Sequence, residues 1–161
     1  VLPGVGAFAD AAAKLRVNGL DRLSIEQANA GKPLLGICLG MQLLLEKSYE
    51  YGEHAGLGLI EGNVVDITPM VGDRKVPHIG WNALLFPEDK HPLFQNTNEG
   101  DCVYFVHSYA AVDCEQSVAA RTEYGALLTA AVAKDNVMGV QFHPEKSGGT
   151  GLDILRAFCA L

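Results

Sequence analysis

What this 161-residue chain lacks narrows its chemistry before any motif is read. It has no basic stripe: 12 Lys and Arg stand against 19 Asp and Glu, for a net charge of -7. That balance argues against a nucleic-acid partner. It has no apolar run near the ~18 residues that a membrane-spanning helix needs. Its four cysteines, Cys38, Cys102, Cys114 and Cys159, are widely spread and form no C-x-x-C pair. This excludes a zinc knuckle and a dense disulfide framework, and fits reduced thiols in a cytoplasmic enzyme. There is one tryptophan, no repeat, and no low-complexity linker. One domain over residues 1–161, large enough to bury a sizeable core, is the simplest organisation. The chain also opens on Val1-Leu2-Pro3-Gly4 without an initiator methionine, which reads as entry midway along a strand and an N-terminally incomplete domain.

What is present is strongly patterned. Helical signals run from about Asp10 to Asn18, stopped by Gly19, and from Asp21 to Ala30, stopped by Gly31. Pro33 to Ile37 reads as a buried strand, and the following helix is expected to reach about Ser48. From Leu57 to Tyr124 short β-like segments dominate: Val64 to Ile67, Val76 to Trp81, Val103 to Val106, and Ser117 to Arg121. Leu127–Ala133 and Val137–Phe142 flank Lys134-Asp135-Asn136 and read as a hairpin. A last helix, about Leu152 to Ala160, puts Leu152, Leu155 and Cys159 on one face at helical spacing. Strand–helix units followed by a hairpin-rich second half predict an α/β fold, a mixed sheet flanked by helices.

The most informative stretch is Gly36-Ile37-Cys38-Leu39-Gly40, a nucleophile elbow with cysteine at the corner. A strand turning sharply into a helix lifts its corner residue to the C-terminal edge of the sheet. Glycines two residues either side avoid clashes at such a bend. The thiol then lies at a helix N-terminus, whose partial positive charge favours thiolate. A buried structural cysteine in a small-residue turn is the competing reading.

A thiol nucleophile needs a base, and the base needs an orienting group. His143 ends the apolar run Gly139-Val140-Gln141-Phe142 and precedes Pro144 and Glu145. A carboxylate two residues on can hold the imidazole Nδ1 and stabilise the imidazolium. Cys38, His143 and Glu145 form the candidate catalytic set. Their order excludes an ordinary α/β-hydrolase, where the acid precedes the histidine. The three could also hold a metal, but no further ligand stands at metal-site spacing, so no metal and no cofactor are expected.

Gly36-Ile37-Cys38-Leu39-Gly40-Met41-Gln42 together with Val140-Gln141-Phe142-His143-Pro144-Glu145-Lys146-Ser147 resembles the class I (triad) glutamine amidotransferases. More narrowly, Pro3 to Phe8, Pro77-His78-Ile79-Gly80-Trp81-Asn82 and Tyr104 to Tyr109 resemble the glutaminase subunits of imidazole glycerol phosphate synthases, of histidine biosynthesis. The likeness spans essentially the whole chain, less an N-terminal strand–helix–strand portion that family members carry. It implies a flavodoxin-like fold and hydrolysis of the glutamine side-chain amide through a γ-glutamyl thioester on Cys38. Ammonia would pass to a (βα)₈-barrel cyclase subunit as heterodimeric partner.

The resemblance also implies further roles. The backbone N–H of Leu39 and that of Val5 or Gly6 would hold the oxyanion. Gln42, one helical turn after Cys38, would reach the bound amino acid. Glu50, at the end of that helix, would meet its α-amino group, against the alternative of a solvated surface charge. The backbone at Ser108 and Tyr109 would form the glutamine-binding edge. Trp81, Tyr104 and Lys146 would face the cyclase; for Trp81 the alternative is a core tryptophan. Two other functions remain open at this point: the amidotransferase component for anthranilate, aminodeoxychorismate or pyridoxal phosphate synthesis, and a non-catalytic relic of the fold.

Overall fold

Glycine punctuation sets the first elements in a computed structural model that describes residues 1–161. Helix α1 (Phe8–Val17) closes at Asn18, and Gly19, in the left-handed region at φ 67°, turns the chain directly into α2 (Leu20–Asn29). Gly31, at φ 84°, ends α2 and leads to β1 (Leu34–Ile37). Only glycine enters that region without strain, so both stops were readable in advance.

After β1 come α3 (Leu39–Leu44), β2 (Lys47–Ser48), β3 (His54–Ala55) and β4 (Asn63–Asp66). Then follow β5 (His78–Ala83), β6 (Cys102–His107), β7 (Tyr109–Val112), β8 (Val118–Glu123), β9 (Leu127–Lys134), β10 (Val137–Val140) and α4 (Gly148–Cys159). The main sheet has the order β1-β10-β9-β8, with β1 parallel to β10 and the rest antiparallel. The β9–β10 hairpin is the one the Lys134-Asp135-Asn136 break predicts. Leu2 bridges Gly36 in parallel on the far side of β1, so the chain start does lie along the sheet. A second sheet runs β3-β2-β4-β7, and β5 pairs with β6. The fold is therefore a mixed sheet flanked by helices.

Successive residues of a strand face opposite sides of its sheet, and the core divides accordingly. Met138 joins Leu35, Phe94, Phe105, Phe142 and Ile154 on the α4 side. Val137 joins Met41, Leu44, Ile60 and Val64 on the α3 side. Fully burying each of these side chains contributes roughly 1.5–3 kcal/mol.

Two expectations are corrected. The helix after the elbow stops at Leu44 rather than near Ser48, and Lys47–Ser48 is a strand between β3 and β4. The backbone N–H groups of Leu57, Gly58, Leu59 and Ile60 bond the carbonyls of Leu43, Leu45, Leu44 and Leu44. Those carbonyls would otherwise have continued the helix. In α4 the buried positions are Gly151, Ile154 and Ala157, while Leu152 and Cys159 are exposed and Leu155 is half-buried. The helix starts earlier than its apolar pattern suggests, and its phase is set by Gly151, where any Cβ would overlap the Pro144 carbonyl.

Candidate active site

Cys38 is the hinge between β1 and α3, with φ 54° and ψ -110°. Its N–H donates to the Val140 carbonyl at 2.8 Å, so the sheet holds the corner from the β10 side. The bend is possible because of its flanking glycines. A Cβ on Gly36 would come within 2.6 Å of the Gly40 carbonyl oxygen, and one on Gly40 would overlap the Leu2 carbonyl. A non-glycine residue held at positive φ is strained, and here the strain places a thiol at a sheet edge.

The thiol's ionisation differs from the sequence expectation. Burial pushes Cys38 above the ordinary thiol range, and the nearby Glu145 carboxylate acts in the same direction. The Leu39 N–H, the Gln141 amide and Lys146 oppose this without overcoming it. A six-residue helix does not outweigh desolvation of the sulfur.

His143 leaves the main sheet just after β10 and is buried. Its N–H donates to the Tyr104 carbonyl at 2.9 Å, and its own carbonyl accepts from the Ser147 hydroxyl at 2.6 Å. That hydroxyl also accepts the Tyr104 N–H at 2.9 Å, so one serine ties the histidine loop to β6. The His143 Nδ1 lies 2.7 Å from Glu145 Oε1 across the short turn Pro144–Lys146. A carboxylate can only accept, so Nδ1 carries a proton and the neutral tautomer presents Nε2 as its acceptor.

These residues border a cleft of about 530 Å³, a size suited to a small metabolite. Cys38, Leu39 and Gln42 line it together with His143, Glu50, Ser108, Tyr109, Val5 and Gly6. The Pro3–Gly6 loop packs against the elbow: the Cβ direction of Gly4 points at Leu39 Cβ, 3.2 Å away. Gly6 has φ 100°, which frees the neighbouring peptide to turn either way. Glu50 lies beyond β2, not at the end of α3, and its Oε2 accepts the Phe8 N–H at 2.7 Å, capping α1. Gln42 is buried and donates to the Tyr109 carbonyl at 3.2 Å and to Gln141 Oε1 at 3.0 Å.

Glu145 stands behind His143, half-exposed, and does not line the cleft. Trp81, Tyr104 and Lys146 also lie outside it. Trp81 is 55% exposed, so the core-tryptophan reading is overturned. It faces Tyr104 across the β5–β6 pair, ring centroids 6.0 Å apart, with Ile79 exposed two residues back on the same strand face.

Three contributors carry no role in the sequence reading. Gln141 is fully buried and points its amide at the Cys38 sulfur, 3.7 Å away. Ser147 joins the histidine loop to β6. His107 lines the cleft and hydrogen-bonds the Tyr109 carbonyl at 2.9 Å. A polar residue inside the apolar run Val137–Phe142 was the available signal for Gln141; nothing local marks Ser147.

Comparison with known proteins matches residues 1–160 to the model of the family described as "Glutamine amidotransferase class-I". The imidazole glycerol phosphate synthase subunit HisH of Wolinella succinogenes is 50% identical, over 100% of this chain and 80% of that one. The subunit of the same name from Sulfurimonas denitrificans is 53% identical, over 98% of this chain and 77% of the other. That of Aquifex aeolicus is 48% identical, over 98% and 75%. Among solved structures, a crystal structure of a glutamine amidotransferase superposes with a TM-score of 0.71 at 20% identity, covering 98% of this chain and 77% of that one. A glutamine amidotransferase from Thermotoga maritima gives 0.65 at 18%, covering 98% and 60%. At such identities the two structures speak for the fold alone.

Proposed function

The chain belongs to the class I glutamine amidotransferase family, and from that premise we propose that it is the glutaminase subunit of an imidazole glycerol phosphate synthase. The relatives of about 50% identity over the whole chain support this assignment. Within the site, one observation carries the mechanism. A strained, buried Cys38 and a His143 whose Nδ1 is committed to Glu145 border the same cleft.

Glutamine enters with its side-chain amide over Cys38. As sulfur attacks the amide carbon, His143 Nε2 takes the thiol proton and Glu145 stabilises the imidazolium. The charge developing on the amide oxygen is met by the Leu39 N–H at the start of α3 and by the N–H of Val5 or Gly6. His143 returns the proton to the leaving nitrogen, the C–N bond breaks, and ammonia departs from a γ-glutamyl thioester. His143 then deprotonates water, which attacks the thioester and releases glutamate and the thiol. Gln42, Glu50 and the Ser108–Tyr109 backbone hold the amino-acid end of the substrate.

Ammonia becomes ammonium in water and loses its nucleophilic lone pair, so it has to be delivered rather than released. We assign the receiving site to a (βα)₈-barrel cyclase subunit, docked over Trp81, Tyr104 and Lys146 as a heterodimer, which makes imidazole glycerol phosphate and AICAR. The exposed Ile79–Trp81 edge supports this placement. Four free cysteines support a reducing, cytoplasmic setting.

The test is glutamate release by the full chain with its cyclase partner and the partner's nucleotide substrate. Cys38→Ser should lower it by at least about 10³-fold. Equal turnover by the two would overturn the assignment.

A further inference from the structure

The sulfur of Cys38 has a partner that the mechanism above does not use. Gln141 Nε2 lies 3.7 Å from it, and the surrounding amides leave only one orientation for that contact. The Tyr109 carbonyl can only accept, and it faces Gln42 Nε2 at 3.2 Å. Gln42 must therefore present its NH₂ end. One hydrogen goes to Tyr109 and the other to Gln141 Oε1 at 3.0 Å. With its oxygen so engaged, Gln141 has only its NH₂ end to turn toward Cys38. A flipped Gln141 would set donor against donor at Gln42, and oxygen against sulfur at the nucleophile. Gln141 is fully buried and Gln42 nearly so, so water does not relieve either clash.

We propose that Gln141 is a positioning residue of the glutaminase reaction, its amide N–H holding the Cys38 sulfur over the cleft and favouring the thiolate, with its polarity dictated through Gln42 by the Tyr109 carbonyl. The assignment rests on the amidotransferase reading for its purpose, not for its geometry. A hydrogen bond to the charged form of a group stabilises that form, and on this buried sulfur Gln141 adds to the Leu39 N–H as its side-chain donor. The relay also joins the nucleophile to the edge where the amino acid is held, because the same Tyr109 carbonyl receives His107 Nδ1. Disturbance of that edge reaches the sulfur through two amides.

The titratable and charged groups that face or act on Cys38 are His143, Glu145 and Lys146 after β10, His107 on β6, Tyr109 on β7, and Glu50, Tyr51 and Asp66 across the cleft. None is altered by changing Gln141. The experiment is iodoacetamide alkylation of Cys38 in the full chain as a function of pH, read by peptide mass spectrometry. The exposed Cys102 and Cys159 serve as references in the same digest. In Gln141→Leu the midpoint of the Cys38 profile should rise by about one pH unit, slowing alkylation below the midpoint about tenfold. The plateau at high pH, where the thiolate is fully formed, should not change. Gln141→Glu, which replaces the donor with an acceptor, should move the midpoint further.

An unmoved midpoint, with or without a lower plateau, would make Gln141 a packing residue and overturn the proposal. If Gln141→Leu does not fold by circular dichroism, Gln42→Met decides. It leaves Gln141 in place but unoriented, and should shift the midpoint up by less; no shift there overturns the proposal equally. Alkylation needs no turnover, so an unaltered chain that releases no glutamate with its cyclase partner and the partner's nucleotide substrate present would refute the amidotransferase reading and leave this result standing.

Discussion

At the residue scale the site consists of single side chains whose partners are already in place. Glu145 Oε1 is 2.7 Å from His143 Nδ1 and fixes which nitrogen is the base. Glu145→Gln retains the shape but can present an N–H to Nδ1, which favours the wrong tautomer. We expect kcat to fall by roughly 10²–10⁴-fold with little change in KM, measured as glutamate release in the complex. The half-exposure of Glu145 argues for the lower end of that range. The residue types of the proposed triad were legible in the sequence because each is demanded by the proposed chemistry and two are only two positions apart. Gln141 was not legible as a participant, because its meaning depends on Gln42 and Tyr109, remote in sequence and adjacent only after folding.

At the element scale the elbow is a packing solution that tolerates no side chain at two positions. Gly40→Ala would drive a methyl into the Leu2 carbonyl, which is backbone and cannot rotate away. A loss of roughly 3 kcal/mol or more is expected, read as a lower midpoint in urea unfolding. Ser147→Ala removes the hydroxyl that links the Tyr104 N–H to the His143 carbonyl. A cost of about 1–3 kcal/mol follows from the Tyr104 N–H left unpaired, while the His143 carbonyl keeps the Lys146 N–H at 3.0 Å. Turnover should fall as well, because the histidine loop loses its tie to β6. The short α3 belongs to this scale too: residues 57–60 cap its carbonyls, a contact that no propensity of Met41 to Glu46 encodes.

At the scale of the whole molecule, two buried histidines make stability depend on pH. Burial lowers both His78 and His107, the latter from 6.5 to about 4. Between those values the unfolded chain binds protons that the native His107 refuses. The contribution of His107 is therefore full above about 6.5, falls as pH drops toward 4, and levels off below. His107→Gln should flatten that limb of a urea-midpoint-against-pH curve. Partner docking belongs here as well. Trp81 is more than half exposed, so Trp81→Ala should leave the unfolding midpoint of the isolated chain nearly unchanged. Affinity for the proposed cyclase partner, measured by titration calorimetry, should weaken by roughly 2 kcal/mol.

The amino-acid sequence by itself determined the elbow at Cys38, the His143–Glu145 pair, the glycine stops at Gly19 and Gly31, and the β9–β10 hairpin. Each is a local demand: a steric one at a tight bend, a chemical one at a base, or a periodicity broken by turn residues. Tertiary structure alone decided where α3 ends, which face α4 buries, and whether Trp81 is core or surface. It also decided what faces the sulfur. Those outcomes turn on hydrogen bonds and close approaches between segments such as Gln42, Tyr109 and Gln141, remote in sequence and brought together only when the sheets close. That same closure buries the Cys38 thiol, so the helix start that was expected to favour its thiolate is outweighed by loss of water.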